Sequence, residues 1–268
     1  MALYDKIGKT YSKTRQRDPR IAGKLLELLQ SSQASTIVDI GAGTGSYAFF
    51  LAEYGYEVLA VEPSATMRNQ AISHPAIEWI DGHAENLPLP NQAAEAAIIM
   101  LAFHHFQDYQ QALREVHRVV GNGQIIMFTY DPAMISGFWL TKYFPALIKD
   151  VESSFISISD LSDEICSIRG NSVKVIPFRL PHNLSDSFAA VGWARPELYL
   201  DINIRNGISS FAKIDIDEVE QGVLRLQADL ETGRWDKEYG YLRKQKQYDV
   251  GYRFIQSVER EGVEGDGE

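Results

Sequence analysis

The segment from Thr36 to Glu62, TIVDIGAGTGSYAFFLAEYGYEVLAVE, can fold in very few ways. TIVDI is a short β-branched run suited to a buried strand. Gly41, Gly43 and Gly45 follow at alternate positions. Such a turn permits positive φ and lets a ligand approach the main chain. Ser46 is placed to cap the helix that follows, and Tyr47, Phe50, Leu51 and Tyr54 give that helix an apolar face. EVLAVE is a second buried strand ending in Glu62. A carboxylate at that point can accept hydrogen bonds from both hydroxyls of a ribose. The unit of strand, glycine turn, helix and strand is therefore built to hold a nucleoside.

A dinucleotide site would require G-x-G-x-x-G, whose third glycine allows close helix packing under a pyrophosphate. Here the run is Gly41-Ala42-Gly43-Thr44-Gly45-Ser46, and a serine stands in the third place. Further on come DGHAENLPLP from Asp81, LAFHHFQD from Leu101 and the turn GNGQ from Gly121. With the opening unit, these motifs resemble the class I methyltransferases that use S-adenosylmethionine. The similarity is to the subgroup containing ubiquinone and menaquinone methyltransferases, and it covers residues 1–130. The resemblance implies a Rossmann-like α/β sheet, mostly parallel with its last strand antiparallel.

The resemblance also implies roles for residues. Tyr4, Tyr11 and Arg15 fit a pattern that lies over the cofactor in the family, where Arg15 would hold the methionine carboxylate in a charge-assisted pair. Asp39 would accept from the ammonium end of the cofactor or orient the loop. Gly41, Ala42 and Gly43 would contact the methionine part, and Glu62 the ribose. Pro63 and Met67 would pack on the adenine, and His83 and Ala84 would meet its edge. The family often carries Asp where His83 stands. Leu101 and Ala102 would flank the reactive sulfur. His104 or His105 would face the methyl acceptor as a general base, since imidazole titrates near neutral pH. Two adjacent histidines with no third ligand in view do not make a metal site. His182 and Asp186 are alternative contacts to the acceptor.

The rest of the chain sets limits. Strands are expected at Thr36–Ile40, Glu57–Glu62, Ile77–Asp81, Glu95–Met100 and Gln124–Tyr130, alternating with helices, which argues a parallel sheet with right-handed crossovers. Residues 1–130 form the cofactor-binding core with its N-terminal helices. Segments 156–180 and 247–258 complete the sheet, with Pro177 at an edge or bulge. Segments 131–155 and 181–246 are expected to be helical insertions forming a lid, because a structureless loop of the latter's size is improbable. The tail 259–268 is expected to be disordered.

With 26 basic and 36 acidic residues the net charge is −10. That balance argues against a general nucleic-acid binder, which needs a basic surface to displace counterions. Cys166 is the one cysteine, so no disulfide can close within the chain. MALYDKIGKTYSK holds no apolar run of signal-peptide length, and no stretch reaches the ~20 apolar residues of a membrane span. The expected location is cytoplasmic; the sequence does not determine the oligomeric state. Phe138, Trp139, Tyr143, Phe144, Trp193 and Trp235 make the insertions aromatic-rich, which suggests a small or medium-sized, largely apolar organic acceptor methylated at oxygen, nitrogen or carbon. Two other readings stand beside this one: a protein that binds S-adenosylmethionine without catalysis, and a nicotinamide-dependent oxidoreductase, which Ser46 and the HAENLP stretch oppose.

Overall fold

The computed structural model describes residues 15–31, 33–170 and 172–258. Tyr4, Tyr11 and the segment 259–268 lie outside the described residues. Helix α1 (Pro19–Gln30) begins at Asp18, whose carboxylate accepts from the Arg20 backbone N–H at 3.0 Å. Its Ile21, Leu25, Leu28 and Leu29 are buried. There follow β1 (Thr36–Ile40), α2 (Ser46–Glu53), β2 (Glu57–Val61), the short α3 (Ala65–Arg68), β3 (Ile77–Ile80), β4 (Ala96–Met100), α4 (Tyr109–Val120) and β5 (Gln124–Tyr130). Helix α4 ends at Gly121, whose φ of +55° suits the residue that terminates a helix.

Beyond β5 the chain makes 3-10 turns at Pro132–Gly137 and Trp139–Lys142, then α5 (Ala146–Ser154) and α6 (Ile158–Arg169). Strand β6 (Ser172–Pro177) is followed by the two-residue β7 (Leu180–Pro181). SVKVIPFRL reads as one continuous strand; here it is split. Pro177 has no N–H to continue a ladder, and Leu180–Pro181 pairs instead with β8 (Gln247–Tyr248). Between β7 and β8 lie a run of turns, α7 (Ile202–Asn206), α8 (Ile216–Glu231), α9 (Arg234–Tyr239) and three 3-10 turns. Strand β9 (Tyr252–Val258) closes the order.

Seven strands form the main sheet in the order β3-β2-β1-β4-β5-β9-β6. The first five run parallel, and β9 lies antiparallel between β5 and β6. Pro177 therefore sits on an outer strand, where a missing donor costs no internal ladder bond. The central strands β4 and β5 are covered on both faces, so they read as nearly unbroken apolar runs. In β4, Ala96, Ile98 and Met100 join the core on one side, while Ala97 and Ile99 join the core on the other. The first core includes α1, α2 and the aromatic residues of the insertions; the second includes α4 and α6.

The insertions thus share a core with the sheet. Phe128 of β5 lies opposite Phe254 of β9, with ring centroids 4.7 Å apart. Phe188 packs on Tyr252 at 4.7 Å. Deeper in, the Trp139 indole donates to the Trp193 carbonyl at 2.8 Å, and Tyr143 Oη donates to Asp229 at 2.8 Å. Buried aromatics with satisfied polar ends contribute both area and orientation. Segments leave the sheet after β5, after β6 and before β9. All three exits are at the end where β1 and β4 also terminate, because β9 runs opposite to the rest.

Candidate active site

Strands β1 and β4 are neighbours, but the chain leaves them in opposite directions across the sheet. In an open α/β sheet a crevice forms at that switch point, outside the carboxyl ends of the strands. A cavity of about 520 Å³ lies there. Its floor is the glycine turn Gly41, Ala42 and Gly43 after β1, and Leu101 and Ala102 after β4. Gly41 has φ +74°, and a Cβ on it would stand 2.5 Å from Ala102 Cβ. No other residue fits there. Leu101 takes φ +54°, an uncommon conformation for a non-glycine residue, and its N–H donates to Phe128 O at 2.8 Å. The turn it makes brings Ala102 under Gly41.

Ser46 does not cap α2. The residue that begins the helix is Gly45, at φ +77°, and it offers no side chain. The Ala48 N–H is taken by Asp39 from the preceding strand, so a carboxylate from β1 performs the capping. This also locates Asp39. It lies behind the glycine turn rather than on the cavity wall, fully enclosed, with Oδ2 unpartnered among the described residues. Burial, reinforced by the nearby Glu62, pushes its carboxyl up to about 7. The helix face also differs from the sequence reading. Tyr47, Ala48, Leu51 and Ala52 are buried, and Tyr54 is exposed.

Glu62 stands at the end of β2 with its carboxylate in the cavity. Its Oε2 accepts from the Gly43 N–H at 3.0 Å and its Oε1 from the Ser64 N–H at 2.9 Å. Burial raises its pKa, and these two N–H donors act in the opposite direction. A carboxylate has room for about four acceptor bonds, so capacity for ligand hydroxyls remains. Pro63, Met67, His83 and Ala84 line the same end, with Met67 and Ala84 buried. His83 is held by an isolated bridge to Asn86.

Arg15, Tyr47 and Asp186 also line the cavity. Arg15 Nε donates to Asp186 Oδ1 at 2.6 Å. Tyr47 Oη is buried with no partner among the described residues. Tyr47 reads from sequence as mere helix packing and Asp186 as an acceptor contact; neither has a local signal for this position. The third wall is Met100, Leu101, Phe106 and His105.

The two histidines part company here. Phe103–His105 is a 3-10 turn, which sends successive side chains in different directions. His105 reaches the cavity wall; His104 does not. The His104 ring instead stacks on Phe155, with centroids 4.3 Å apart and planes at 14°. Its Nδ1 is buried with no partner among the described residues. Desolvation holds His104 well below the ordinary imidazole value, and desolvation brings His105 to about 4. Both rings are neutral at physiological pH. His182 is placed away from the cavity, edge-on to Trp193. Among the described residues no group of three or more His, Cys, Asp or Glu is placed to hold a metal ion. Among the same residues no helix is long and apolar enough to cross a membrane.

The residues present suit an adenosyl amino acid. A glycine turn at positive φ that brings backbone to the cavity, the Glu62 carboxylate, the apolar Pro63, Met67 and Ala84, and the paired charge of Arg15 and Asp186 match ribose, adenine and amino-acid parts. Fold and cavity together define a nucleoside-binding α/β protein of the methyltransferase type. Comparison with known proteins agrees. A family model described as a methyltransferase domain matches residues 38–128. A solved structure from Anabaena variabilis, described as a candidate methyltransferase from an antibiotic biosynthesis pathway, is 43% identical. The match covers 91% of this chain and 99% of that one, with a TM-score of 0.87. The malonyl-[acyl-carrier protein] O-methyltransferase of Pseudescherichia vulneris is 31% identical over 48% of this chain and 51% of its own length. A ubiquinone/menaquinone biosynthesis C-methyltransferase of Rubrivivax gelatinosus is 37% identical over 32% of this chain and 36% of its own. The match thus spans about half of the length of one of these curated relatives and about a third of the other. The chain belongs to the class I S-adenosylmethionine-dependent methyltransferases.

Proposed function

We propose that this chain transfers a methyl group from S-adenosylmethionine to a small or medium-sized, largely apolar organic acceptor. The observation that carries the reading is a single cavity in which Glu62 and the glycine turn stand at one side and an apolar wall with His105 at another. Bound S-adenosylmethionine supplies an electrophilic methyl group on a sulfonium that is already a good leaving group. The residues therefore need to position, dehydrate and, where the acceptor carries a proton, remove it.

Glu62 holds the ribose hydroxyls, and Gly41, Ala42 and Gly43 present backbone to the amino-acid part. Met67, Pro63, His83 and Ala84 enclose the base. Leu101 and Ala102 support the reacting centre from below. Arg15 meets the amino-acid carboxylate. The insertions act as the lid that excludes water over this centre. Most of their large aromatics serve the lid's own core: Trp193 and Trp235 are fully buried, and Tyr143 and Phe144 nearly so.

A small separate cavity of about 50 Å³ is lined by Tyr130, Phe138, Leu147, Phe155, Ala189 and Tyr252. The stacked pair His104–Phe155 stands between it and the wall that His105 joins. An acceptor with a flat apolar part would press on that partition. His105, on the cavity wall, is the residue to receive a proton. His104 braces it from behind, with ring centroids 3.9 Å apart.

Incubating the protein and S-adenosylmethionine with a panel of apolar phenols, amines and carboxylic acids tests the reading. Mass gain of one methyl on a panel member supports it. Cofactor binding with no transfer to any member would favour a non-catalytic role. For a phenol acceptor, which must lose its proton, His105→Ala should cost roughly 10²-fold in rate and leave cofactor affinity within a few-fold. A phenol's own ionisation lies well above this range and His105 is neutral above about pH 4, so the titration of His105 should leave the wild-type rate level from pH 8 to pH 5 and lower it only below that. A break near 6.5, the value of an unperturbed imidazole, would remove His105 from this role.

A further inference from the structure

The second insertion supplies a residue to the cofactor site itself. Its first residues are sewn to the start of α1. Asp18, fully buried, accepts from the Ser185 N–H at 3.0 Å and from Ser185 Oγ at 3.1 Å. Arg20 Nη1 donates to Asn183 Oδ1 at 2.6 Å. These bonds fix the backbone just before Asp186 against the backbone just after Arg15. Asp186 then takes the Arg15 guanidinium from two atoms, Nε at 2.6 Å and Nη2 at 3.4 Å. Both side chains are largely buried, 14% and 4% exposed, and both line the cavity that Glu62 also lines.

An ion pair that only braced the fold would be better replaced by apolar packing, because burying two charges costs about as much as their attraction returns. This pair instead opens onto a cavity. Beside it on the cavity wall is the Tyr47 hydroxyl, buried with no partner among the described residues. Asp186 engages one edge of a planar guanidinium, which fixes the plane and direction of the group. Burial raises the Asp186 carboxyl, and Arg15 opposes that shift, so the two charges depend on each other.

We infer that Asp186 is a positioning residue that aims Arg15 at the α-carboxylate of the cofactor's amino-acid end. The inference rests on the reading of the cavity as an S-adenosylmethionine site and assigns one insertion residue to it. The insertion is thereby a determinant of which nucleosides are held. Ligands with the amino-acid carboxylate depend on it, and ligands without the carboxylate do not.

Three ligands separate the possibilities by calorimetry: S-adenosylhomocysteine, its decarboxylated amine analogue, and 5′-methylthioadenosine, which lacks the whole amino-acid end. Asp186→Asn keeps the shape and removes the charge. It should weaken S-adenosylhomocysteine roughly ten- to a hundred-fold and leave the other two within about twofold. Arg15→Gln should give the same pattern, and the double variant should be no worse than Arg15→Gln alone. Equal loss for all three ligands in Asp186→Asn would mean a structural role only and overturn the inference. Loss for the decarboxylated amine as well as S-adenosylhomocysteine, with methylthioadenosine unaffected, would place Asp186 on the ammonium and also overturn it. If wild-type protein binds none of the three, the cofactor reading fails before Asp186 is tested.

Discussion

The part of the molecule that holds the nucleoside and the part made by segments 131–155 and 181–246 solve different physical problems. In the first, the site is a backbone object. Gly41 is dictated by φ +74° and by Ala102 Cβ 2.5 Å from where its own Cβ would be, and Glu62 is held by N–H groups of Gly43 and Ser64. In the second, the work is done by side chains that meet across long stretches of sequence. Trp139 bonds to Trp193, Tyr143 to Asp229, and Arg15 to Asp186. Local backbone geometry tolerates almost no substitution, whereas a packed aromatic core tolerates volume-conserving exchange. The two parts should therefore fail differently when mutated.

The largest effect is expected at the glycine turn. Gly41→Val forces a branched side chain into positive φ and into Ala102. Binding of S-adenosylhomocysteine should fall by more than about 10²-fold, since such strain combined with a clash exceeds several kcal/mol. Calorimetry checks it, with circular dichroism to show that the helices persist. Unchanged affinity would mean that the ligand does not use this turn.

Next comes the insertion core. Trp235 is fully buried and packs on Trp139 with centroids 5.2 Å apart. Trp235→Ala should cost about 3–5 kcal/mol of stability, the usual penalty for removing a large core side chain. The insertions share their apolar core with α1, α2 and the sheet, so thermal unfolding should remain one transition, shifted down. Two separate transitions would show the insertion to be an independent unit, and the contrast drawn above would need a different basis. A smaller loss is expected for Glu62→Ala. Deleting a charged acceptor of hydrogen bonds should weaken cofactor binding by about 1–3 kcal/mol, read by titration calorimetry. An unaltered affinity would transfer the ribose contact to another carboxylate.

How far each part was legible follows the same division. TIVDIGAGTGS announces its strand and turn because residue type and conformation are coupled within a few residues. The positions of β1 to β5 are read correctly to within a residue for that reason. Where two neighbours compete, the sequence is less informative. Ser46 looks like a cap, yet Gly45 takes the position and Asp39 reaches Ala48 from the strand behind. His104 and His105 are equivalent on paper, and only the 3-10 turn puts one on the wall and the other against Phe155. The Arg15–Asp186 pair joins positions 171 residues apart, and no spacing rule could connect them. The aromatic residues of the insertions signal a core plainly but do not reveal which of them border a cavity. That depends on how α5, α8 and α9 fold back on one another.

The cofactor itself is the point on which everything else rests. Titrating the purified chain with S-adenosylhomocysteine and, separately, with oxidised nicotinamide adenine dinucleotide measures it directly. The sulfur nucleoside should bind with a one-to-one stoichiometry, and the dinucleotide should give no heat beyond dilution. Tight binding of the dinucleotide with none of the sulfur nucleoside would contradict the assignment of Gly41, Glu62 and the cavity between them.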